Sequence, residues 1–364
     1  MRLATTLLAT ILALSAAPVS AQSIAEMAGQ MIVVGFAGDS VDSKGVAAAR
    51  QQIADGTIGG VMFLKTNVAS QSAVTAMNDA FRKAAPQGLP PFITLDQEGG
   101  LVERLDSSAG FKEIPNAETI AAEYTPEQSR AVYERLAEGV RAWGFNVNFA
   151  PVVDLAVNPD NQVIAKYGRA YGKTADMVAA YAGEVIAAHH DAGLLTSLKH
   201  FPGHGSSTAD SHEGFVDITK TWKPAELDPY RALIANGYED FVMIGHLIDT
   251  EIDPSGLPSS LSEPWITGVL RGQLGFTGVV ITDDLEMGAI RDHFDLKETV
   301  TRAVRAGVDV LLFSNTAKPR ASLGEEVRAI LVAEAEADPD FKAKIEASYK
   351  RIVALKARIG AEQP

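Results

Sequence analysis

The sequence contains no cysteine. Disulfide bonds, zinc sites built on thiolates and cysteine nucleophiles are therefore excluded, because each of them needs a thiol group. Positive charge is also scarce: Lys and Arg total 32 against 46 Asp and Glu, which gives a net charge of −14 at pH 7. Phosphate backbones and anionic lipid surfaces both attract basic proteins. We therefore expect neither nucleic acid nor a membrane surface as a partner.

The N-terminal hydrophobic run is too short to span a bilayer. Met1-Arg2 gives a positive start, the uncharged and mostly apolar stretch Leu3–Ala17 has 15 residues, and small residues follow up to Ala21. A transmembrane helix needs ~20 apolar residues, whereas this three-part layout is typical of a secretory signal peptide. We predict a signal peptide over residues 1–21 and a mature chain over 22–364 in the periplasm or the medium. The alternative is an N-terminal anchor that is retained.

The mature chain alternates β-branched apolar runs with helical signals. The predicted strands are Met31–Gly35, Gly60–Phe63, Phe92–Asp96, Val147–Asp154, Leu195–His200, Phe241–His246, Val279–Asp283 and Val308–Ser314. The predicted helices are Ser70–Lys83, Thr125–Trp143, Ala175–Ala192, Glu263–Leu274, Leu296–Ala306, Leu323–Ala335 and Phe341–Ile359, the last with Lys342, Lys344, Lys350 and Arg351 on its exposed side. Eight strands alternating with helices predict an α/β protein with a single-domain (β/α)₈ TIM-type barrel. The rival fold is an open doubly wound sheet, although no G-x-G-x-x-G follows the first strand.

Ionisable and polar residues stand at the ends of the predicted strands. They are Asp96, Asp154, Lys199, His200, His246, Asp283, Ser314 and Asn315. In a barrel these ends form one rim around a shared pocket. Charge beside an apolar core needs a partner or a ligand, so their convergence predicts a functional site there.

Histidine is concentrated in one segment. His200, His204 and His212 flank a loop whose Pro202, Gly203 and Gly205 are typical of a sharply folded chain. Asp210 lies two residues before His212, close enough for its carboxylate to orient the imidazole, as in hydrolase triads. We interpret His189 and His190, late in a predicted helix, as structural.

The segment K-H-F-P-G-H-G at Lys199–Gly205, followed by D-S-H at Asp210–His212, resembles glycoside hydrolase family 3, in its single-domain bacterial β-N-acetylglucosaminidase branch. Asp96–Gly100 with Arg104, Val163-Ile164 with Arg169–Gly172, and Ile281–Met287 are similar to further family segments in the same order. The match runs from about Ala25 to Asn315. The sequence departs from the family pattern at Leu101, where an arginine is usual, and in a longer spacing from Ile164 to Arg169.

The resemblance implies roles for individual residues. Asp283 matches the nucleophile, His212 the general acid/base, and Asp210 the residue that orients His212. The residues that match sugar-binding positions are Asp96, Arg104, Arg169, Lys199 and His200. No metal and no cofactor is expected. The implied activity is that of an exo-acting retaining β-N-acetylglucosaminidase acting as a monomer on peptidoglycan fragments or chitooligosaccharides.

Elementary chemistry agrees with these roles. Retaining cleavage of a glycoside needs one carboxylate nucleophile and a proton donor on the opposite side of the scissile bond. We expect neighbouring backbone N–H groups and Lys199 to keep Asp283 ionised. The imidazole group ordinarily titrates near pH ~6.5, which suits it to give and take a proton at neutral pH.

Several alternatives remain open at this stage. A β-glucosidase or an N-acetylglucosamine phosphorylase would use the same fold, and His200, His204, His212 and Asp283 would suit a metal-dependent hydrolase, although no H-E-x-x-H occurs. A non-catalytic sugar-binding protein is a third class. Further residues have structural interpretations: Asp284 as a helix cap, Asp154 as a brace, His204 as a loop support, and Glu98 and His246 as equally structural or functional. Lys199 would form a Schiff base in another barrel class.

Overall fold

The computed structural model describes residues 22–316 and 318–360. The predicted signal peptide over residues 1–21 lies outside them. Among the described residues, no helix is both long enough and apolar enough to cross a bilayer. Eight parallel strands form the central sheet: β1 (Ile32–Gly35), β2 (Gly60–Met62), β3 (Phe92–Leu95), β4 (Val147–Asn148), β5 (Leu195–Phe201), β6 (Phe241–Ile244), β7 (Val279–Thr282) and β8 (Leu311–Phe313).

The sheet closes into a barrel. Each of the strands β1 to β6 pairs in parallel with the next strand of the barrel, and β1 also pairs with β8, where Ile32 faces Leu311. The remaining seam between β7 and β8 is joined by a bridge between Ile281 and Val310 and by the bond from Thr282 N to Val310 O at 3.1 Å. The predicted (β/α)₈ barrel is confirmed.

The fourth strand is shorter than the sequence predicts. Its regular pairing ends at Asn148, and the predicted remainder up to Asp154 is irregular apart from a bridge between Val152 and Lys199. Pro151 has no N–H to give to a ladder. The side-chain amide of Asn148 accepts from Gln97 N at 3.0 Å and donates to Gln97 O at 2.9 Å. Both backbone groups of Gln97 are therefore hydrogen-bonded to a side chain. Asp154 nevertheless reaches the rim.

Helices surround the barrel. They are α1 (Ile24–Gln30), α2 (Lys44–Ala54), α3 (Gln71–Ala84), α4 (Ala117–Glu123), α5 (Pro126–Ala142), α6 (Ala175–Asp191), α7 (Asp228–Ala235), α8 (Gly288–Arg291), α9 (Leu296–Ala306), α10 (Leu323–Ala337) and α11 (Pro339–Gly360). The predicted helix over Glu263–Leu274 is present with the wider π geometry over Pro264–Gln273. Arg351 was predicted on the exposed side of α11, but its guanidinium binds the buried carboxylate of Asp309 at 2.7 Å.

The barrel interior is filled at the end where the strands begin. The ring centroids of Phe92 and Phe241 lie 5.1 Å apart, and the ammonium group of Lys356 lies 4.6 Å from the centroid of Phe92. Lys356 Nζ also donates to Gln30 Oε1 and Gly59 O, each at 2.7 Å. This end is therefore closed by side chains, and a cavity can open only at the opposite end, where the strands finish.

Candidate active site

A cavity of about 340 Å³ opens where the barrel strands end. Two methionines, Met62 and Met243, line its inner part. The predicted site residues that line it are Asp96, Arg104, Arg169, Lys199, His200, His212 and Asp283. Asp210 is connected to the cavity through its bond to His212. The structure therefore brings every predicted site residue to one place, as expected from strand ends that share a rim.

Asp283 follows the last residue of β7. Its backbone N–H donates to Ile244 O at 2.9 Å, and its Oδ1 accepts from the N–H of Asp284 at 2.8 Å. Burial by itself raises the pKa of Asp283, but the imidazoles of His200, His246 and His212 and the Asp284 N–H outweigh it and lower the pKa to about 2. The carboxyl group is therefore an anion at neutral pH.

Lys199, which the sequence predicts to help keep Asp283 ionised, is bound directly to two other carboxylates. Its ammonium group donates to Asp96 Oδ1 at 2.6 Å and forms an ion pair with Glu98 Oε1 at 2.7 Å. Burial alone would lower the pKa of Lys199, but these two carboxylates raise it by a larger amount, so that the net shift is upward. The charged form is favoured, which argues against a Schiff-base role, since that role needs the free amine.

His212 and Asp210 form the pair that their spacing predicts. Asp210 Oδ1 accepts from His212 Nδ1 at 2.7 Å and from the backbone N–H of His212 at 2.9 Å. The side chain of His212 is 66% exposed and that of Asp210 28%. With Nδ1 donating to the carboxylate, Nε2 is the nitrogen left to exchange a proton with a ligand in the cavity.

A chain of alternating charges lines one wall of the cavity. Arg104 Nη2 lies 2.9 Å from Asp96 Oδ2, Lys199 bridges Asp96 and Glu98, and Arg169 Nε and Nη2 donate to the two oxygens of Glu98 at 2.8 and 2.7 Å. Burial raises the pKa of Glu98, but Arg169 and Lys199 outweigh it, so that its pKa is well below the usual range. The wall thus offers cations and carboxylates in fixed positions, the groups that bind sugar hydroxyls.

Glu98 belongs to this cluster, although sequence analysis left its role undecided. Asp96 and Glu98 are two residues apart at the end of β3, and residues two apart in an extended chain point to the same side. That spacing is the signal that identifies Glu98 beside Asp96. In the structure it holds both Arg169 and Lys199.

Asp154 fixes the orientation of His200. Its Oδ2 accepts from His200 Nδ1 at 2.8 Å, and its Oδ1 accepts from the backbone N–H of His204 at 2.7 Å. The other ring nitrogen of His200, Nε2, faces Arg169 Nη2 at 3.3 Å. A buried carboxylate that holds the ring in this way selects one tautomer and leaves Nε2 as an acceptor.

His246 and Asp284 connect neighbouring loops of the rim. His246 Nε2 donates to Asp284 O at 2.9 Å, while its Nδ1 accepts from Ser260 Oγ at 2.8 Å. The carboxylate of Asp284 accepts from Ser314 N at 2.8 Å and Glu286 N at 3.0 Å. Because the Asp284 carboxylate is occupied by two backbone N–H groups, Asp283 is the freer carboxylate at the end of β7.

The residue set for a metal-dependent hydrolase is not assembled. Within 22–316 and 318–360, no group of three or more His, Asp or Glu side chains is placed to hold a metal ion. His200, one of the four residues in that alternative, is instead held between Asp154 and Arg169.

The chain matches a known protein family over most of its length. Residues 23–355 match the Glycosyl hydrolase family 3 N terminal domain. A beta-hexosaminidase of Stenotrophomonas maltophilia (strain K279a) is 36% identical over 291 residues, which cover 78% of this chain and 82% of that relative. A beta-hexosaminidase of Xylella fastidiosa (strain M23) is 35% identical over the same length, with the same coverage of both chains.

Solved structures give the same result. A glycoside hydrolase family 3 beta-N-acetylglucosaminidase from Paenibacillus sp. str. FPU-7 superposes with a TM-score of 0.85 at 33% identity and covers 94% of this chain. This chain spans 64% of the length of that protein. A beta-N-acetylhexosaminidase from Beutenbergia cavernae DSM 12333 superposes with a TM-score of 0.81 at 29% identity, over 93% of this chain and 99% of the other.

Proposed function

Because the chain belongs to glycosyl hydrolase family 3 and is therefore a glycoside hydrolase, we propose that it is an exo-acting, retaining β-N-acetylglucosaminidase. Its proposed substrates are peptidoglycan fragments or chitooligosaccharides that end in N-acetylglucosamine. The observation that carries the proposal is the placement of an ionised Asp283 and the His212–Asp210 pair at one cavity. The names of the hexosaminidase relatives support the acetamido sugar.

The proposed reaction has two steps. In the first, a carboxylate oxygen of Asp283 forms a bond to the anomeric carbon while the glycosidic bond breaks, and His212 Nε2 gives its proton to the leaving oxygen. In the second, His212 takes a proton from water, which attacks the anomeric carbon and releases Asp283. The two inversions leave the β configuration of the sugar unchanged. Asp210 holds the imidazole in position through both steps.

The charged wall provides the proposed sugar site. Asp96, Arg104, Lys199 and Arg169 already pair with one another or with Glu98, so they are held in position before a sugar arrives. Such preorganisation reduces the entropy lost on binding. The inner end of the cavity, which the side chains of the barrel interior close, suits a terminal sugar and so supports the proposed exo mode of attack.

Export is a separate proposal. We infer from the layout of Met1–Ala21 that the protein leaves the cytoplasm and that the exported chain begins at Gln22. We separately propose that it acts as a monomer. N-terminal sequencing of the protein from its native host tests this, and an intact Met1 in the soluble cytoplasmic fraction would contradict it. Size-exclusion chromatography with light scattering tests the monomer.

The decisive experiment compares two substrates. We expect the aryl β-N-acetylglucosaminide to be cleaved far faster than the aryl β-glucoside, with no acceleration by inorganic phosphate and no loss of activity with a chelator. Preference for the glucoside would make the protein a β-glucosidase, and a sugar phosphate as product would make it a phosphorylase. Loss of activity with the chelator that a divalent metal restores would favour the metal-dependent alternative.

A further inference from the structure

His212 lies on a loop whose two ends are held by different parts of the barrel. We define the His212 loop as residues 202–215, between β5 and the short strand Val216–Asp217. Its first part is held by the loop that follows β4: Asn161 Nδ2 donates to His204 O at 2.8 Å, and Asn158 Nδ2 donates to Ser207 O at 2.9 Å. These contacts end before Asp210, so they do not by themselves fix the position of His212.

The second part of the loop is held by the segment that follows Asp283. The backbone N–H groups of Gly288 and Ala289 donate to His212 O at 3.3 Å and Ser211 O at 3.2 Å. Gly288 and Ala289 begin helix α8, and the first N–H groups of a helix have no acceptor within the helix. The carbonyl groups of the His212 loop supply these acceptors. Backbone bonds therefore connect His212 to a residue five positions after Asp283.

Gly288 is needed here for space. A Cβ atom at this position would lie 2.7 Å from His212 O, closer than Cβ atoms in folded proteins come to other atoms, and 3.2 Å from the carbonyl carbon of Glu213. Its φ is not positive, so the left-handed region does not explain the glycine. Glycine in a helix is less stable than alanine by about 1 kcal/mol. The close approach to the His212 loop therefore explains why glycine stands at position 288, where alanine would otherwise make the helix more stable.

An aromatic pair holds the end of the loop. The rings of Phe215 and His293 stack with centroids 3.6 Å apart and planes 15° apart. Phe215 is also among the exposed large apolar side chains of the described residues. An exposed ring that lies flat on a neighbour orders the chain at that point. The His212 loop thus contacts the segment 288–293 at two points, at Ser211-His212 and at Phe215.

We propose that Gly288 and the Phe215–His293 pair are positioning residues for His212, which set its distance from Asp283. The inference rests on the proposed role of His212 as the acid/base. Because Gly288 follows Asp283 on the same segment, the nucleophile and the proton donor share one support. A displacement of about 1 Å at a reacting group costs up to about 100-fold in rate. We call these contacts the tether: Gly288 and Ala289 bonded to the His212 loop, and Phe215 stacked on His293. The tether therefore determines how well the proton reaches the leaving oxygen.

The test replaces Gly288 and a matched glycine. Gly288→Ala places a methyl group against His212 O, whereas Gly183→Ala in α6 makes the same change where no described atom lies within 4 Å. For Gly288→Ala we expect a loss of about 10- to 100-fold in kcat/KM on a disaccharide, with less than a threefold loss on an aryl glycoside with an activated leaving group. Gly183→Ala should match the wild type on both. Equal losses on both substrates, or no loss with the fold intact, would overturn the proposal.

A second pair of variants covers the case in which Gly288→Ala does not fold. Phe215→Ala removes the stacked ring and Phe215→Tyr retains it. Phe215→Ala should show the same selective loss in kcat/KM on the disaccharide, with less than a threefold loss on the activated aryl glycoside. Phe215→Tyr should behave as the wild type. If Phe215→Ala and Phe215→Tyr are indistinguishable, the ring pair has no positioning role.

A measurement without substrate separates this inference from the proposed function. Hydrogen–deuterium exchange of peptides covering residues 205–216 should be faster in Phe215→Ala and Gly288→Ala than in Gly183→Ala. If the wild type cleaves neither aryl glycoside, the proposed function fails, while the exchange result still decides whether the tether holds the loop. Unchanged exchange in both variants would refute the tether.

Discussion

Asp283 and His212 differ in how firmly the protein holds them. Asp283 is fixed by two hydrogen bonds: its backbone N–H donates to Ile244 O, and its carboxylate accepts from the N–H of Asp284. His212 is exposed, and among the described residues its ring has one hydrogen-bonding side-chain partner, Asp210. A nucleophile at a strand end needs little support from its loop, whereas a proton donor on a loop depends on the contacts that orient it. The two residues should therefore respond differently to mutation.

Asp283→Ala is expected to lower kcat by about 10⁴-fold or more, because the first bond to the sugar cannot form. The melting temperature should change little, since the carboxylate faces the cavity and its main contact is a single backbone N–H. Kinetics on an aryl N-acetylglucosaminide and thermal unfolding measure the two effects. A slow fluorinated substrate should leave a sugar on the peptide that carries Asp283 in the wild type. An adduct on Asp284 instead would reassign the nucleophile.

His212→Ala is expected to lower kcat/KM on a natural disaccharide by about 10²- to 10⁴-fold and on activated aryl glycosides much less, because kcat/KM reports the first step and a good leaving group needs no proton there. Asp210→Asn should show the same pattern more mildly, since the ring remains but loses its orienting charge. The double variant should be little worse than His212→Ala, because the pair acts as one unit. Kinetics on both substrate types measure this, and losses that simply multiply would contradict the pair.

At the scale of the element, the loops at the rim depend on close backbone approaches. Gly205, in the first part of the His212 loop, lies so close to the chain after β4 that a Cβ atom would be 1.7 Å from Leu155 O. No side-chain rotation relieves a clash with backbone. The loop that follows β4 and the His212 loop are therefore packed against each other through glycine.

Gly205→Ala is expected to lower the free energy of unfolding by about 2–3 kcal/mol, because a methyl group has to displace the backbone at Leu155. Activity should fall as well, since the same loop carries His204 and leads to His212. Gly214→Ala, near the other end of the loop, is the control, because no described atom lies within 4 Å of its Cβ position. Urea unfolding of both variants checks the difference, and equal stabilities would contradict the steric argument.

The elements found from sequence are those with a strong local pattern. Helix α5, predicted over Thr125–Trp143, begins with a capping box between Thr125 and Gln128 and has Pro126 in its first turn. Helix α2 was missed because its inward-facing positions include a polar residue, Gln52, which contacts Ala321 O. Helix α7 was missed because it is short and follows directly on a 3₁₀ turn.

The candidate site could be predicted only in part. Residues at strand ends are identified because the barrel gathers them, as it does Asp96, Lys199 and Asp283. Sequence alone could not show which charges pair across the rim. The sequence places Lys199 near Asp283, but in the structure it is bound to Asp96 and Glu98. Which carboxylates it meets depends on distances between strands, which local sequence patterns do not encode.

At the scale of the whole molecule, α11 closes the barrel with cations. Arg351 binds Asp309 at 2.7 Å, Arg358 binds Asp240 at 2.6 Å, and Lys356 enters the barrel end itself. Both carboxylates are buried, so the arginine in each ion pair compensates for the hydration that the carboxylate loses on burial. Lys356 differs from the two arginines because its partners, Gln30 Oε1 and Gly59 O, are uncharged.

The position of Lys356 predicts a pH dependence of stability. Burial lowers the pKa of Lys356 from 10.5 to about 7, so between these values the unfolded chain binds more protons than the folded one. The free energy of unfolding should therefore rise with pH across this window. Lys356→Met should remove that rise, whereas Lys350→Met, on the exposed side of the same helix, should keep it. Urea unfolding from pH 6.5 to 10 measures the slopes, and identical slopes in the two variants would refute the assignment.

The closed barrel end has a consequence for the order in which products depart. Met62 and Met243 line the inner part of the cavity, Phe241 lies two residues before Met243 on the same face of β6, and Lys356 fills the space beyond. A released monosaccharide has no exit at that end, so it leaves last, by the route through which it entered. The free sugar should then be a competitive inhibitor, and turnover in concentrated digests should slow as it accumulates.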